Sequence, residues 1–429
     1  MPTISHYTKF EFKQISHMKK YILPLCIAAS ALTLSCSNDD EATPPNGGNS
    51  IAASQIDATL KTGVAQNYAN IVAASYQDAI TEAQKLKTAI DNFASNPTDQ
   101  GLSDCKNAWL AARIPYGQTE AYRFYDGPID DANGPEGALN AWPLDENYID
   151  YTRDAADDGI INDPDYQLSK EQLIRTNTEN ISEESEDSTG TFIVTGYHAI
   201  EFMLWGQDNL DVSNGQPGNR PLSDFTTRDN YQRRLDFLKL VAEILIDDLN
   251  SVYNQWKEGG AYRTSFIANP DDAIKNMITG IGELSGPELG GERMRVALRV
   301  AENPNPEEGG ANLGQEDEHS CFSDNTHNDI ILNFEGCVNV LRGTYVRIDG
   351  STISGPSLLD VLTASNASRA TAINDKATEA LASTKEIPAP FDLALKNNPG
   401  SIQNSIDLLD SFSALAADAK LGLGLIDQE

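Results

Sequence analysis

The stretch DNYQRRLDFLKLVAEILIDDLNSVYNQW, residues 229–256, carries the clearest secondary-structure signal in the chain. Its apolar residues recur every three or four positions, which is the spacing of one face of an α-helix. The members of this stripe are Tyr231, Leu235, Leu238, Ala242, Leu245, Leu249 and Val252. The pattern predicts a long amphipathic helix with one face packed against a core.

The same periodicity recurs along most of the chain. Further helices are expected at 56–93, 102–122, 191–205, 270–284, 292–301, 324–345, 365–384 and 402–421. No run of alternating β-branched residues rivals these segments, so a sheet is not expected. Helices of this length, joined by short and long loops, predict an all-α fold built as helical bundles.

Two breaks organise the helical segments. Gly259-Gly260 is the best candidate for a domain boundary, which predicts one bundle over 51–258 and a second over 261–429. The connection from 126 to 164 is rich in Gly, Pro, Asp and Asn, and a loop of this length is often functional. Its Trp142 and its Tyr148 and Tyr151 predict that it packs on the body of the protein.

Residues 1–35 have the features of an export signal. Lys19-Lys20 precede an apolar run over 21–34 that is too short to cross a bilayer as a helix. The Ser35-Cys36 junction resembles that of a lipoprotein signal, in which Cys36 becomes the lipid-modified first residue. Met18 is an alternative start, and residues 36–50 are expected to form a lipidated tether and flexible linker.

The residues after Cys36 indicate a location. Ser37-Asn38-Asp39-Asp40-Glu41 resembles the acidic tag of surface-exposed lipoproteins of Bacteroidetes-type bacteria. An ordinary acidic tether would have the same composition. We therefore expect an outer-membrane lipoprotein that is held to the membrane by its lipid. The folded part would lie at the cell surface or, failing that, face the periplasm.

Charge excludes one class of partner. Sixty-four acidic residues against 31 basic ones give a formal net charge of −33. Nucleic-acid binding needs a positive footprint, so it is not expected. The charge favours solubility at a cell surface and supports a cation partner only weakly, because most of these carboxylates are solvated.

The segment Gly196-Tyr197-His198-Ala199-Ile200-Glu201-Phe202-Met203-Leu204-Trp205-Gly206 carries the best candidate site. His198 and Glu201 are three residues apart, so both lie on one face of the predicted helix. An imidazole and a carboxylate placed in this way are typical ligands of a first-row metal. A partner is required because an unpaired carboxylate in an apolar segment is costly, and Arg123 or Arg293 is the alternative to a metal.

Three other segments could support this site. In 113–124, a break at Pro115 would turn Glu120 and Arg123 inward as an ion pair or as supporting groups. In 286–295 the glycines fail the dinucleotide and Walker patterns, so we expect a tight turn into a helix, with Glu292 and Arg293 near its start. In 315–329, acidic residues and histidines make a dense set of donors. The neighbours that this last segment offers are Asp317, Ser323, Asp324 and His327.

The motif Gly-x-His-x-x-Glu, followed by an apolar run that ends in Trp-Gly, resembles the signature of imelysin-like proteins. The wording of 113–124 and 315–329 is similar to that family as well, and the resemblance covers almost all of the chain after the linker. The family comprises bacterial envelope proteins associated with iron acquisition, and some members are classed as metallopeptidases. The resemblance implies two helical bundles related by duplication, a bound metal that is iron or else zinc, and envelope transport proteins as partners.

Three functions follow, in order of preference. The first is an envelope lipoprotein that binds a metal for iron uptake, and the second is an imelysin-type metallopeptidase. The third is an interaction scaffold without a metal, in which these polar groups hold the two bundles together. No His-Glu-x-x-His or Gly-x-Ser-x-Gly motif occurs in the sequence. Only two metal ligands are indicated, and a catalytic metal needs about three, so binding is preferred to catalysis. A disulfide between Cys321 and Cys337 remains open.

Overall fold

The long helix expected over 229–256 is present as Tyr231–Trp256, within a chain that is helical nearly throughout. The computed structural model describes residues 50–156, 158–182, 192–208, 215–302, 314 and 317–426. Apart from Tyr231, which is exposed, the apolar stripe of this helix is buried as expected. The predicted all-α class is confirmed.

The α-helices are numbered in chain order. They are α1 Ala58–Ser95, α2 Asp99–Thr119, α3 Glu136–Leu139, α4 Glu146–Ile149, α5 Lys170–Ser182, α6 Gly196–Trp205, α7 Tyr231–Trp256, α8 Ala261–Ala268, α9 Pro270–Glu283, α10 Val296–Glu302, α11 Thr326–Arg342, α12 Leu358–Ser365, α13 Ala367–Glu386, α14 Phe391–Asn397 and α15 Pro399–Gly422. Short 3-10 helices lie at Ala53–Gln55, Glu120–Tyr122 and Leu222–Phe225.

Helix α1 is the longest element, and its start is fixed by a side chain. The Asp57 carboxylate accepts hydrogen bonds from the backbone N–H groups of Thr59 and Leu60, at 2.7 and 3.1 Å. Such a cap satisfies donors that the first helical turn leaves free. Helix α1 packs against α2, α7 and α9. The described residues beyond Pro44 group into one compact unit, and the predicted boundary at 259–260 and the duplication stay predictions.

Helices α2 and α11 cross at unusually close range. A Cβ added to Gly336 of α11 would collide with the carbonyl oxygen of Gln118, and one added to Gly117 would lie 3.0 Å from the Leu332 Cβ. The two glycines therefore let the helix backbones approach each other. This crossing carries Asp329 and Asn333 into the interior beside α2.

The prediction of a tight turn in 286–295 is wrong. Leu284–Arg295 is a π-helix that continues directly from α9 into α10. Its glycines serve packing instead of a turn, because a Cβ on Gly286 would lie 2.8 Å from the Ser413 Cβ of α15. Pro287 lies inside this element and has no N–H to donate, which favours departure from regular α-helical bonding. Arg293 is buried in the last turns of the π-helix.

A small hairpin was not expected from the sequence. Strands β1, Thr344–Val346, and β2, Thr352–Ser354, pair antiparallel with Tyr345 opposite Ile353. The helix predicted over 324–345 therefore ends early, at Arg342, where Gly343 takes a left-handed φ of 62°. The Tyr345 hydroxyl donates to Asp78 of α1 at 3.0 Å, which ties the hairpin to the body.

The long connection over 126–164 is anchored by a buried ion network, in addition to its aromatic residues. One oxygen of Asp150 lies 2.6 Å from Arg220 and 2.8 Å from Arg234, and its other oxygen accepts from Arg234 at 2.9 Å. All three side chains are buried. Asp150 thus fixes the connection to α7, because Arg234 would otherwise bury a charge without a carboxylate partner among the described residues. Arg220 would keep only its longer contact with Asp224, at 3.3 Å.

The signal region, the lipidated tether and the Cys321–Cys337 disulfide are three further predictions from the sequence. Residues 1–49 lie outside the described residues, so the signal region, Met18, Cys36 and the tether stay predictions. Across the described ranges, no helix is long and apolar enough to span a membrane. Within the same ranges, no disulfide joins Cys321 to Cys337, and both side chains are buried.

Replacing Asp150 tests the anchoring network. The change Asp150→Ala leaves Arg220 and Arg234 buried without their shared carboxylate, and it should lower the free energy of unfolding by about 3–5 kcal/mol. Denaturant titration measures this loss. The matched control is Asp154→Ala in the same connection, because that side chain is 84% exposed and should have little effect. Equal stability of the two variants would contradict the anchoring role.

Candidate metal site

Helix α6 carries the motif, and its first residue must be a glycine. Gly196 has a φ of +88°, and a Cβ there would lie 2.5 Å from the carbonyl oxygens of Ala138 and Leu139. The Trp109 indole N–H donates to the Tyr197 carbonyl at 2.9 Å and fixes the same turn. Because every residue of α6 is buried, its polar side chains must find partners inside the protein.

His198 and Glu201 are partners of each other. His198 Nδ1 and Glu201 Oε2 are 2.8 Å apart, and the side chains are 1% and 0% exposed. The other oxygen of Glu201 accepts from the Ser323 N–H at 3.0 Å and from the Ser323 hydroxyl at 2.7 Å. His198 Nε2 is buried and has no hydrogen-bond partner in the described part of the chain.

A second histidine–carboxylate pair lies beside the first. His319 Nδ1 is 2.9 Å from Asp329 Oδ2, which also accepts from the Ser320 hydroxyl at 2.5 Å. Arg113 contacts the other oxygen of Asp329 at 3.1 Å. The rings of His198 and His319 are perpendicular, with centroids 4.7 Å apart. Both pairs therefore use Nδ1 for a carboxylate and leave Nε2 for another partner.

Trp142 from the long connection covers both imidazoles. Its ring centroid lies 5.0 Å from that of His198 and 6.4 Å from that of His319. It also packs edge-on against Phe322. The connection therefore lies over the two pairs, and its indole lowers the polarity around them.

The remaining predicted neighbours divide into two groups. Glu120 Oε2 lies 2.8 Å from both Arg123 and Arg293, so these three side chains form a buried ion network. Arg293 also bonds Asn333 of α11. The arginines that were the alternative partners of Glu201 are therefore paired with Glu120.

The second group belongs to the segment 317–327. Ser323 bonds Glu201 directly, whereas Asp324 lies near the carboxylates of Asp392 and Asp208. His327 is partly buried, and its Nδ1 has no hydrogen-bond partner among the described residues. Asp317 donates its backbone N–H to the Gly314 carbonyl at 3.2 Å.

Burial sets the protonation of the two pairs. Burial, with the nearby His319 and Arg113, lowers the pKa of His198 well below its ordinary value. Burial and Arg293 lower the pKa of His319 to about 4. Burial raises the pKa of Glu201 to about 8, although the Ser323 hydrogen bonds and Arg113 act in the opposite direction. The imidazoles are therefore neutral at pH 7, which is the form that binds metals.

The pKa of Asp329 is shifted in the opposite direction to that of Glu201. The positive charge of Arg113 and the bonds from His319 and Ser320 outweigh burial and hold the pKa of Asp329 well below its ordinary value. Asp329 is thus an ionised acceptor that fixes the proton of His319 on Nδ1. That tautomer leaves the lone pair of Nε2 free to bind a metal.

Sequence reasoning missed the partners of these groups. His319 and Asp329 both lie in the donor-rich segment 315–329, yet their pairing was not predicted. Arg113 begins the segment 113–124, which was singled out only for Glu120 and Arg123. Trp142 was expected only to pack the long connection onto the body of the protein. The available signal was the histidine count, because only three of the five histidines follow the export signal and two of them lie in this segment.

No metal geometry is already assembled at these residues. Within the described ranges, no group of three or more His, Cys, Asp or Glu side chains is arranged so that it could hold a metal ion. The two imidazoles nevertheless fit a metal chemically, since each is neutral and oriented by an acidic side chain. Because the pKa of Glu201 is about 8, a metal on His198 Nε2 would have to displace one proton from this pair, which leaves Glu201 ionised as the acceptor of the Nδ1 proton. Water or small movements would have to complete the coordination.

The pH dependence of stability tests the state of His319. Its pKa of about 4 lies below the ordinary 6.5, so the unfolded chain takes up a proton first as pH falls through this window, and stability is lost there. His319→Gln removes this group. Between pH 7 and pH 5, wild type should lose on the order of 2 kcal/mol more than the variant.

Urea titrations at pH 8, 7, 6 and 5 measure the effect. Between pH 8 and pH 7 the two proteins should change in parallel, which is the internal control. Parallel behaviour down to pH 5 as well would show that His319 is not held neutral in the folded chain.

Comparison with known proteins identifies the family of the chain. A curated relative, the iron-regulated protein A of Synechococcus elongatus (strain ATCC 33912 / PCC 7942 / FACHB-805), is 23% identical over 383 residues, which is 85% of this chain and 86% of the relative. Among solved structures, a protein assigned as an iron-regulated protein A precursor from Parabacteroides distasonis ATCC 8503 matches with a TM-score of 0.64 and 21% identity. That match covers 86% of this chain and 96% of the other.

A second solved structure supports the same fold. The imelysin-like protein from Psychrobacter arcticum 273-4 matches with a TM-score of 0.59 at 14% identity, over 87% of this chain and 98% of the other. The family model for imelysin (peptidase M75) matches residues 72–416, which include α2, α6, the π-helix and α11. The chain therefore belongs to the imelysin family.

Proposed function

We propose that this protein binds a transition-metal ion in the cell envelope, in the service of iron uptake, with His198 and His319 as nitrogen donors. The observation that carries the proposal is the pairing of both imidazoles with carboxylates through Nδ1. Metal-binding histidines commonly donate their second ring N–H to a carboxylate, which orients the ring and raises its basicity. His198 Nε2 is also buried without a hydrogen-bond partner in the described ranges, which is costly unless a ligand binds there.

Glu201 takes a positioning role in this proposal. The sequence motif suggested that Glu201 and His198 bind the metal together. In the structure both oxygens of Glu201 already have hydrogen-bond partners, one with His198 and one with Ser323. We therefore assign Glu201 to the orientation of His198, and we assign the second nitrogen to His319. Glu201 could join the metal only by giving up one of these bonds.

Iron is preferred to zinc because of the relatives. Imidazole nitrogens suit both metals, so the donor set alone does not choose between them. The Synechococcus relative and the Parabacteroides structure both carry a name that refers to regulation by iron. A protein produced in response to iron supply is well placed to bind iron or to pass it to envelope transport proteins.

The alternative is a metallopeptidase, which the family name supports. A hydrolytic metal needs an open coordination position and a base within reach of the bound water. Glu201 is the available base, but it is fully buried and bonded to His198 and Ser323. A peptide would reach it only if the segment around Trp142 moved aside. Binding therefore has the stronger support, and a metal-free scaffold remains the third reading.

Metal titration of variants tests the proposal. Removing the donor ring in His198→Ala should abolish stoichiometric binding of ferrous, ferric and zinc ions, measured by calorimetry and by metal analysis after dialysis. Glu201→Gln keeps the size of the side chain but weakens its hold on Nδ1, so affinity should fall about 10–100-fold. The matched control is His327→Ala, which removes a histidine outside both pairs and should bind as wild type does.

Two outcomes would decide against this assignment. Identical weak binding by wild type and His198→Ala would favour the metal-free scaffold. Chelator-sensitive hydrolysis of casein or of a peptide library, lost in Glu201→Gln, would favour the peptidase. Circular dichroism of each variant establishes that the helices remain folded.

The cellular location is part of the same proposal. Residues 1–35 have the pattern of an export signal, and Cys36 stands where a lipoprotein is acylated. Both lie outside the described residues, so the support comes from the sequence. We place the protein at the outer membrane, held by a lipid on Cys36 and exposed at the surface or facing the periplasm.

Replacing the cysteine tests the anchor. Cys36→Ala should abolish metabolic labelling with a radioactive fatty acid and release the protein from the membrane fraction. The matched control is Ser37→Ala, which should remain attached. Membrane attachment and labelling that persist in Cys36→Ala would contradict a lipid anchor at this position.

A further inference from the structure

A group of buried carboxylates lies apart from the histidine pairs. Glu318 is 1% exposed, and Asp324 and Asp392 are also buried. Both oxygens of Glu318, both of Asp324 and Oδ2 of Asp392 have no hydrogen-bond partner in the described part of the chain. The Thr326 hydroxyl lies near Glu318. These buried oxygens therefore lack the hydrogen bonds that would offset their loss of contact with water.

The three side chains come from segments that meet in space. The Gly218 N–H donates to the Phe322 carbonyl at 2.9 Å, so the stretch 215–218 runs along the turn that holds Glu318 and Asp324. At its other end, a Cβ on Gly215 would lie 2.5 Å from Leu393, the residue after Asp392. Consistent with this proximity, burial and the charge of Asp392 raise the pKa of Asp324 to about 7.

What this group lacks is a positive charge. Elsewhere in the molecule, buried carboxylates are matched by arginines, as Asp150 is by Arg220 and Arg234. Among the described residues, no lysine, arginine or histidine side chain donates to the unpartnered oxygens of Glu318, Asp324 and Asp392. An ionised carboxylate buried in this way is strongly disfavoured unless a cation or a proton joins it.

We propose that Glu318, Asp324 and Asp392 form a second cation site, distinct from the histidine pairs, that takes a hard divalent cation of the calcium type. All of its donors are oxygens, which exclude a preference for soft metals. Calcium accepts six to eight oxygens at about 2.3–2.6 Å in irregular arrangements, whereas magnesium demands a near-ideal octahedron. Asp208 lies near enough to affect Asp324 electrostatically and would add to the negative field.

The carboxylates are not yet gathered around one point. No three acidic or histidine side chains in the described ranges stand at metal-holding distances. Like charges without a cation repel one another, so the side chains would close only when the ion enters. Asp324 has a left-handed φ of 56°, so its side chain leaves the backbone from a tight turn.

The position of the site gives the ion a structural task. The turn over 318–324 also carries His319 and Ser323, which belong to the two histidine–carboxylate pairs. A cation bound to Glu318, Asp324 and Asp392 would fasten this turn to α14. It would do so whether or not the histidine pairs hold a metal, so the two proposals can fail separately.

Calcium titration of the full chain tests the site. After treatment with a chelator, wild type at pH 7.5 should bind one calcium ion in calorimetry and should unfold at a higher temperature with calcium than without it. Glu318→Gln should lose both effects. Without calcium, this variant should be at least as stable as wild type, because an uncompensated buried charge is gone.

Controls separate this site from the surface and from the histidines. Glu171→Gln changes an exposed glutamate of α5 and should bind calcium as wild type does. His198→Ala should also keep calcium binding, whatever it does to transition metals. No saturable calcium binding by wild type, or unchanged binding by Glu318→Gln, would overturn the proposal. The first result would mean that the carboxylates are neutralised by protons instead.

Discussion

The buried carboxylate of Asp329 is the interaction on which the rest of the site depends. It accepts from His319 and Ser320 of one segment and from Arg113 of α2, all in the interior. Arg113 also donates to Asn140 of the long connection at 2.6 Å. A single ionised group therefore joins α2, α11, the turn over 318–324 and the loop that covers the histidines.

The glycines at the α2–α11 crossing make this arrangement possible. Gly117 and Gly336 let the two helices approach closely enough for Arg113 to meet Asp329. Buried ion pairs of this kind are weak evidence for stability, because desolvation offsets much of their attraction. They do specify geometry, since breaking one partner leaves a buried charge. In this protein the buried polar groups therefore fix the orientation of the two imidazoles.

Much of this could be predicted from local patterns. Helical periodicity located most of the long helices, and the three-residue spacing of His198 and Glu201 predicted that both lie on one helix face. The inward turn of Glu120 and Arg123 after Pro115 also appears in the structure as a buried ion pair. These successes share one cause: each depends on residues that are neighbours along a helix.

The failures share the opposite cause. The pairing of His319 with Asp329 crosses a turn, and that of Arg113 with Asp329 joins separate elements, so no periodicity reveals either. The glycines of 284–295 were interpreted as a turn because their packing partner, α15, lies more than a hundred residues further along the chain. The role of Glu201 likewise depended on Ser323, whose approach only the fold could show.

The central claim is that Nε2 of His198, oriented by Glu201, binds a metal together with His319. The most direct test is an anomalous-difference map from crystals of the full chain loaded with zinc, an ion that suits imidazole nitrogen. The account predicts a peak at about 2.0–2.1 Å from His198 Nε2, with His319 as a second ligand and Glu201 still bonded to Nδ1. A fully loaded crystal whose zinc lies only on surface carboxylates, with the two histidine–carboxylate pairs unchanged, would contradict it.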